Sequence, residues 1–185
     1  MPTQILWKPW AMPGLEHVAL SATAAGEALA DGVIIGFGDG GTPFRVRYTV
    51  QCDAAWHTRA VRVDLLDATE RRIELHGDGA GHWANEAGAA LPALDGCHDV
   101  DISATPFTNT LPIRRLAPLG AAAEIEVVYI ALPGLVVSRA RQRYTRLGPA
   151  LVRFEALDTG FAADLPIDAE GLVEDYPGLF RRVVG

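Results

Sequence analysis

Apolar and polar residues alternate along most of this chain with a period of two, which is typical of β-strands. The clearest case is 44–51, FRVRYTVQ, in which the phenylalanine, both valines and the tyrosine share one face. Similar alternation occurs at 61–65, 72–76, 124–129, 135–147, 151–157 and 161–167. Glycine- and proline-rich turn signals separate these segments, without regular helices between them. The pattern predicts an antiparallel sheet rather than alternating strands and helices.

One helix candidate interrupts the strand pattern, at 103–116. Its start is predicted at Thr105 and Pro106, because threonine is a favoured N-cap and proline is favoured at the first helical position. Pro112 is expected to break or kink this helix, with Thr110 as a second N-cap.

Two further segments have helical character. A short helical turn is predicted near the C-terminus, at 177–183. The alanine-rich segment at 23–30 fits either a helix or a pair of strands, and the sequence leaves both open.

The composition is that of an ordinary folded protein. The chain has 185 residues, 49% hydrophobic and 21% charged, and no repeat or long linker divides it. Residues 1–185 are therefore expected to form a single domain. The 16 basic and 23 acidic residues give a net charge of −7. That balance argues against nucleic acids as partners, because proteins that bind phosphate backbones usually carry a basic surface.

The sequence carries no signal for export and no membrane span. Its N-terminal segment is interrupted by Pro9 and Pro13 and lacks the apolar core of a signal peptide. The apolar stretch at 18–30 is too short and too polar to span a bilayer. Cys52 and Cys97 are too few for a disulfide framework and are expected to be reduced and buried. These features predict a cytoplasmic protein.

Charge is unevenly distributed over the second half of the chain. Residues 127–154 contain five arginines and no acid, whereas 155–175 contain seven acids and no base. Arg139, Arg141 and Arg143 share one face of the predicted strand. They can meet an anionic ligand or pair with acids on neighbouring strands, and we favour pairing.

The segment GCHDVDISATPFTNTLPIRRL holds the densest set of candidate functional groups. Asp99 and Asp101 share a strand face, so with His98 they can bind a cation or act as acid and base. They can equally pair with Arg114 or Arg115, because the guanidinium fork matches a carboxylate. We favour the structural pairing.

Signals for a metal site and for covalent catalysis are weak. The stretch HGDGAGH brings His76, Asp78 and His82 together, but its glycines favour a hairpin turn. No GxSxG motif is present, and the adjacent Cys97 and His98 would point to opposite faces of a strand. We therefore predict no catalytic residue, no metal site and no cofactor.

Five strings stand out against the strand pattern. They are WHTR at 56–59, DGAGHW at 78–83, GCHDVDI at 96–102, TPFTNTLPIRRL at 105–116 and GLVEDYPGLF at 171–180. They resemble motifs of the bacterial glycolipid-binding family, formerly a domain of unknown function. The resemblance covers most of the chain from about Trp56 onward, and the string at 105–116 is specific.

The resemblance implies a mainly β (α+β) fold, in which a large curved antiparallel sheet forms a half-barrel wrapped around a central helix. Proteins of similar shape, such as periplasmic lipoprotein carriers, hold acyl chains in the concave face. The resemblance thus implies a non-enzymatic protein whose partner is a lipid or glycolipid. A single helix leaves part of a wide apolar concavity unfilled, and such a surface binds apolar ligands.

Nine residues are candidates for lining the ligand site, either as aromatic surfaces or as polar contacts for a head group. They are Trp56, Trp83, Asp99, Asp101, Asn109, Arg114, Arg115, Tyr144 and Tyr176. For each aromatic residue, packing in the core is the competing interpretation.

Two other functions remain open at this point. One is a hydrolase-like enzyme that acts on a sugar-containing substrate through Asp99, Asp101 and His98. The other is a protein-interaction module, for example a homodimer, in which the concave face or a sheet edge pairs with another chain.

Overall fold

The computed structural model describes residues 1–116 and 122–185, and fourteen β-strands lie within them. The strands are β1 (Thr3–Pro9), β2 (Leu15–Ala22), β3 (Ala28–Phe37), β4 (Pro43–Cys52), β5 (Thr58–Leu65), β6 (Arg72–Gly77), β7 (Trp83–Asn85), β8 (Asp99–Ile102), β9 (Ala122–Ala131), β10 (Val136–Gly148), β11 (Leu151–Ala156), β12 (Phe161–Pro166), β13 (Asp175–Tyr176) and β14 (Phe180–Val184). The helical elements are three 3-10 turns, Asp39–Gly41, Pro92–Leu94 and Phe107–Asn109, and helix α1 (Thr110–Arg115).

The strands form two sheets. Nine strands follow the order β13-β14-β1-β2-β3-β4-β5-β6-β7, and five follow β12-β11-β10-β9-β8. Strands contain 56% of the residues and helices contain 8%. The large sheet is not closed into a barrel. The predicted mainly β fold, with a large antiparallel sheet and one short helix, is confirmed.

One strand pair departs from the antiparallel pattern. β8 and β9 run parallel, with Asp99 opposite Val127 and Ile102 opposite Ile130. Parallel neighbours require a crossover connection, and the helical segment 107–115 lies in the connection between these two strands. The alternation of apolar residues carries no information on strand direction, so the sequence analysis missed this pair.

The helical segment starts where the sequence predicts but continues past its proline. The Oγ1 atom of Thr105 accepts the N–H of Phe107 at 2.9 Å, at the start of the 3-10 turn. Thr110 is the first residue of α1 rather than its cap. The expected break at Pro112 is wrong, because Pro112 lies in the first turn, where helical N–H groups have no partner within the helix. In the described part of the chain, no helix is long and apolar enough to cross a membrane.

The two remaining helix candidates form hairpins. The segment 23–30 contains the turn between β2 and β3, with Gly26 at a φ of 86°. The helical turn predicted at 177–183 is wrong, because β14 pairs with β1 and extends the larger sheet, with Trp7 opposite Arg182.

The buried apolar side chains form two clusters. The larger one packs β1–β6 against β8, β9 and the helical segment, and includes Trp7 and Phe107. The smaller one lies on β10–β13 and includes Tyr144 and Phe154. Leu111 packs in the larger cluster and Ile113 in the smaller one. The helical segment therefore joins both clusters.

Gly32 on β3 makes room for a buried ring. Tyr48 is its partner on β4, and a Cβ atom on Gly32 would lie 2.3 Å from Cζ of Tyr48. Only glycine permits the tyrosine ring to lie flat against this strand, and the ring position fixes the Tyr48 hydroxyl in the interior.

Candidate functional site

A cleft opens between the two sheets and consists of two adjoining cavities. The first has a volume of about 520 Å³ and is lined by the ends of β1–β4 and by 131–132 at the end of β9. The second has a volume of about 480 Å³ and is lined by β8, β10 and residues 154–161. Both cavities are lined by Ser103, Tyr129, Leu179 and Phe180, so they adjoin each other. Their combined surface belongs to both sheets and to the hairpin between β13 and β14.

The two cavities differ in the number of charged side chains that line them, although apolar atoms make up most of the wall of both. For this difference we call the first the apolar chamber and the second the polar chamber. Among the described residues that line the apolar chamber, Glu16 alone is charged. Large apolar side chains at this chamber remain exposed; they are Met12, Leu15, Ile35, Phe37 and Leu179. The polar chamber is lined by four charged residues, Asp101, Arg139, Arg141 and Asp158, together with aromatic rings.

A chain of hydrogen bonds lies along the polar chamber. Asp101 accepts Gln142 Nε2 at 2.6 Å and Thr108 Oγ1 at 3.2 Å. The Tyr144 hydroxyl donates to Gln142 Oε1 at 3.2 Å and accepts Asn109 Nδ2 at 2.9 Å. Burial raises the pKa of Asp101, and the hydrogen bonds from Gln142 and Thr108 oppose that shift. The chain holds these side chains in fixed positions at the cavity wall.

An aromatic cluster also lines the polar chamber. Tyr176 packs against Phe154 and Phe161, with ring centroids 6.1 Å apart in both pairs, and against Phe180 at 6.5 Å. These rings come from β11, β12, β13 and β14. Aromatic faces from four elements give the chamber a surface on which a sugar ring or an acyl chain can stack.

A buried carboxyl group lies at the floor of the apolar chamber. Glu16 on β2 is 2% exposed, and its Oε1 atom accepts the Tyr48 hydroxyl at 2.6 Å. The Tyr48 hydroxyl also lies 3.5 Å from Thr105 Oγ1. Glu16 Oε2 is buried without a hydrogen-bond partner. Burial raises the pKa of Glu16 to about 8, and the nearby hydroxyl groups of Thr105 and Tyr48 oppose that shift.

Sequence reasoning missed Glu16, although a local signal was present. In β2, LEHVALSA, Glu16 occupies the same phase as Val18, which is fully buried. A carboxylate in the inward phase of a strand is a rare buried charge and therefore a candidate functional group.

Asp99 belongs to the core rather than to the cleft. Arg115 Nη2 lies 2.6 Å from Asp99 Oδ2, and Arg115 Nε lies 3.1 Å from both carboxylate oxygens. Burial raises the pKa of Asp99, and the hydrogen bond and charge of Arg115 oppose the shift. This is the structural pairing that the sequence favoured. Asp99 and Asp101 have different partners, and the His98 ring contacts the His57 ring at a tilt of 59°, with ring centroids 5.2 Å apart.

Trp56 and Arg114 line a separate cavity of about 410 Å³ that shares no lining residue with the cleft. The Arg114 guanidinium lies 4.4 Å from the centre of the Trp56 ring, a cation–π contact. Its Nε donates to the Glu170 carbonyl. Trp56 has a left-handed backbone with a φ of 67°, in a turn where Asp53 accepts the N–H groups of Ala55 and His57 at 3.0 Å.

The nine candidate residues are therefore divided among three places. Asp101, Asn109 and Tyr176 line the polar chamber, and Tyr144 contacts Asn109. Trp56 and Arg114 line the separate cavity. Trp83, Asp99 and Arg115 line neither chamber, and the Trp83 indole donates to the Cys97 carbonyl at 2.8 Å within the core.

The arginine row pairs with acids, as favoured from the sequence; two of the acids lie on the neighbouring strand β9 and one lies in the turn between β11 and β12. Arg139 contacts Glu126 at 2.9 Å and Arg141 contacts Asp158 at 3.0 Å. Arg143 contacts Glu124 at 2.5 Å.

The HGDGAGH stretch forms the hairpin turn between β6 and β7. Gly79 and Gly81 have φ values of 83° and 97°. The His82 ring lies 2.8 Å from Asp78, whose pKa falls to about 2 through hydrogen bonds from the His82 backbone and ring. Within 1–116 and 122–185, no group of three or more His, Cys, Asp or Glu residues is arranged to hold a metal ion.

The fold and the cleft define a class of protein: an open, mainly antiparallel β-structure with a short internal helix and a two-part cavity between its sheets. The chain belongs to the family described as "Putative glycolipid-binding", whose model matches residues 4–182. It is similar to a DUF1089 family protein from Pseudomonas aeruginosa with a known crystal structure. The two chains are 40% identical over 94% of this chain and 95% of the other, with a TM-score of 0.83. No curated protein matches the chain significantly.

Proposed function

We propose that this protein binds a lipid or glycolipid, with the acyl chain in the apolar chamber and the head group in the polar chamber. The observation that carries the proposal is the unequal distribution of charged side chains between two adjoining, largely apolar cavities: among the described residues, four line one cavity and one lines the other. An amphiphile likewise concentrates its polar groups at one end. The family description supports a glycolipid as the ligand.

The apolar chamber suits an acyl chain in size and access. Its volume of about 520 Å³ lies within the range of small-molecule binding sites. Each buried CH₂ group contributes about 0.8 kcal/mol, so a partly buried chain already gives useful affinity. The exposed side chains of Met12, Ile35 and Phe37 give the chamber an apolar mouth through which a tail enters.

The polar chamber suits an uncharged, hydroxyl-rich head group. Arg141 and Asp158 neutralise each other, and the charge of Arg139 is balanced by Glu126. Asp101 and Gln142 offer hydrogen-bonding groups beside the aromatic cluster. Hydrogen-bonding groups next to aromatic faces, with little net charge, favour a sugar over a phosphate.

Alkyl maltosides of two chain lengths test the proposal by calorimetric titration below their micelle concentrations. We expect dodecyl maltoside to bind roughly two hundredfold more tightly than octyl maltoside if all four additional CH₂ groups are buried. Mass spectrometry of the protein as purified, under native conditions, is expected to show bound lipid. A protein that carries no lipid and binds neither maltoside would refute the proposal.

A matched pair of variants locates the binding site. Ala131→Trp fills space in the apolar chamber at the end of β9, and we expect it to abolish the advantage of the longer chain. Ala122→Trp adds the same ring at the exposed start of the same strand, and we expect wild-type titrations. Equal behaviour of the two variants would place the ligand elsewhere.

A further inference from the structure

We propose that Glu16 donates a hydrogen bond to the uncharged carbonyl that links the head group of the ligand to its acyl chain. Glu16 would thus select ester- or amide-linked amphiphiles over ether-linked ones. The inference rests on the proposed function, since it assigns a role to a residue of the same cleft.

Two contacts of the Tyr48 hydroxyl connect Glu16 with the wall of the polar chamber. Glu16 is a lining residue of the apolar chamber, and Thr105 is a lining residue of the polar chamber. The Tyr48 hydroxyl is 2.6 Å from Glu16 Oε1 and 3.5 Å from Thr105 Oγ1, so one hydroxyl connects the two. In an amphiphile that spans both chambers, the linkage between head and tail lies at this border.

One oxygen of the Glu16 carboxyl group lacks a hydrogen-bond partner among the described residues. Glu16 Oε2 is buried, and it has no hydrogen-bond partner in the described part of the chain. Buried polar atoms nearly always have a partner, so such an exception requires an explanation. A ligand atom in the adjoining cavity can supply the missing partner.

The protonation state of Glu16 determines what that ligand atom is. Burial raises the pKa of Glu16 to about 8, so the group is uncharged near neutral pH. Because Tyr48 donates to Oε1, the carboxyl proton resides on Oε2 and makes this atom a donor. The matching ligand group is an acceptor.

The surroundings of Glu16 favour an uncharged acceptor. The apolar chamber offers no cation among its described lining residues, so an anionic ligand group would be buried there without a counter-charge. An ester or amide carbonyl meets both requirements, since it accepts a hydrogen bond and carries no charge. An ether linkage lacks this carbonyl oxygen, and its single oxygen lies within the chain rather than projecting from it.

The inference is tested with glycerol monolaurate and glycerol monododecyl ether, which share a head group and a chain length and differ in the carbonyl. Calorimetric titration at pH 7 compares their affinities for the wild-type protein. We expect the ester to bind about tenfold more tightly, the equivalent of one hydrogen bond. Glu16→Gln keeps an uncharged donor, and we expect it to retain the preference.

Glu16→Leu removes the donor and is expected to lose the preference, so that ester and ether bind with equal affinity. The double variant Glu16→Leu/Tyr48→Phe also removes the hydroxyl that loses Glu16 as its acceptor. It allows the same comparison of ester and ether affinities if the single variant folds poorly. Glu27→Leu, in the turn between β2 and β3 and outside both chambers, is the matched control.

The outcomes separate the two proposals. Wild-type protein that binds neither glycerol lipid nor the alkyl maltosides would overturn the proposed function. Equal binding of ester and ether by the wild type would overturn only the role of Glu16. A preference for the ester that persists in Glu16→Leu would also overturn that role, because another group would then contact the carbonyl.

Discussion

Two regions of the interior each bury a carboxyl group and surround it differently. Next to α1, Arg115 contacts both oxygens of Asp99 and supplies a counter-charge. Under the apolar chamber, Glu16 receives one hydrogen bond from Tyr48, and no counter-charge accompanies it among the described contacts. A carboxylate whose two oxygens both contact an arginine has a structural role and no oxygen left for a ligand. An uncharged carboxyl with a free oxygen beside a cavity is available to a ligand.

The largest effect is expected when the Asp99 pair is broken. Arg115→Met leaves a buried charge without its partner, and we expect a loss of about 3–5 kcal/mol in the free energy of unfolding. Urea denaturation measures it. Asp99→Leu/Arg115→Met removes both charges and should recover much of the loss. A single variant within about 1 kcal/mol of wild type would show that water reaches Asp99.

The pH dependence of the free energy of unfolding is expected to show the raised pKa of Glu16. Its folded pKa of about 8 exceeds the ordinary value of 4.5, so its contribution is fully present below pH 4.5 and is lost as pH rises through 8. Relative to Glu16→Gln, wild type should lose about 2–4 kcal/mol between these limits. Burial and Glu16 raise the pKa of Tyr48 well above its usual value, so Tyr48 stays protonated throughout. Parallel stability curves for the two proteins would contradict the shift.

Crowding the Tyr48 ring tests whether its position matters to Glu16. In Gly32→Ala, the added methyl group overlaps the ring and displaces the hydroxyl, at an expected cost of about 1–3 kcal/mol. Gly148→Ala is the matched control, because nothing lies within 4 Å of its added Cβ. Thermal melts compare the two, and equal melting temperatures would show that the ring moves freely.

The smallest effect is expected at the exposed arginine row. Arg143→Gln removes contacts with Glu124 and Glu155 at the surface, and we expect the urea midpoint to stay within error of wild type. A loss comparable to that of Arg115→Met would show that these ion pairs act as a network.

The strand pattern predicted individual strands well. Alternation at 44–51 corresponds to β4, and the extended segment at 135–147 corresponds to β10, with ends displaced by about one residue. The division into two sheets was not predicted, because it depends on pairs such as β1 with β14, which are distant along the chain. Strand alternation reports which face is buried and not which strand is the neighbour.

The site was predicted in part, for similar reasons. The bidentate partner of Asp99 follows from residue type and proximity in sequence, and Arg115 was one of two candidates. The chambers combine side chains from both sheets, so their lining is set by tertiary structure. Glu16 lies before Trp56, in the part of the chain where the family motifs are weakest. Its hydrogen bond comes from Tyr48 on β4, a contact between two strands that are not neighbours, which the sequence pattern does not predict.

The segment 107–115 inserts Leu111 and Ile113, two residues apart, into different apolar clusters. Local unfolding of either cluster therefore disturbs the helical segment on which the packing of the other cluster also depends. Amide hydrogens on β4 and on β11 should consequently exchange with solvent through one shared opening event, with similar protection, rather than as two independently melting units.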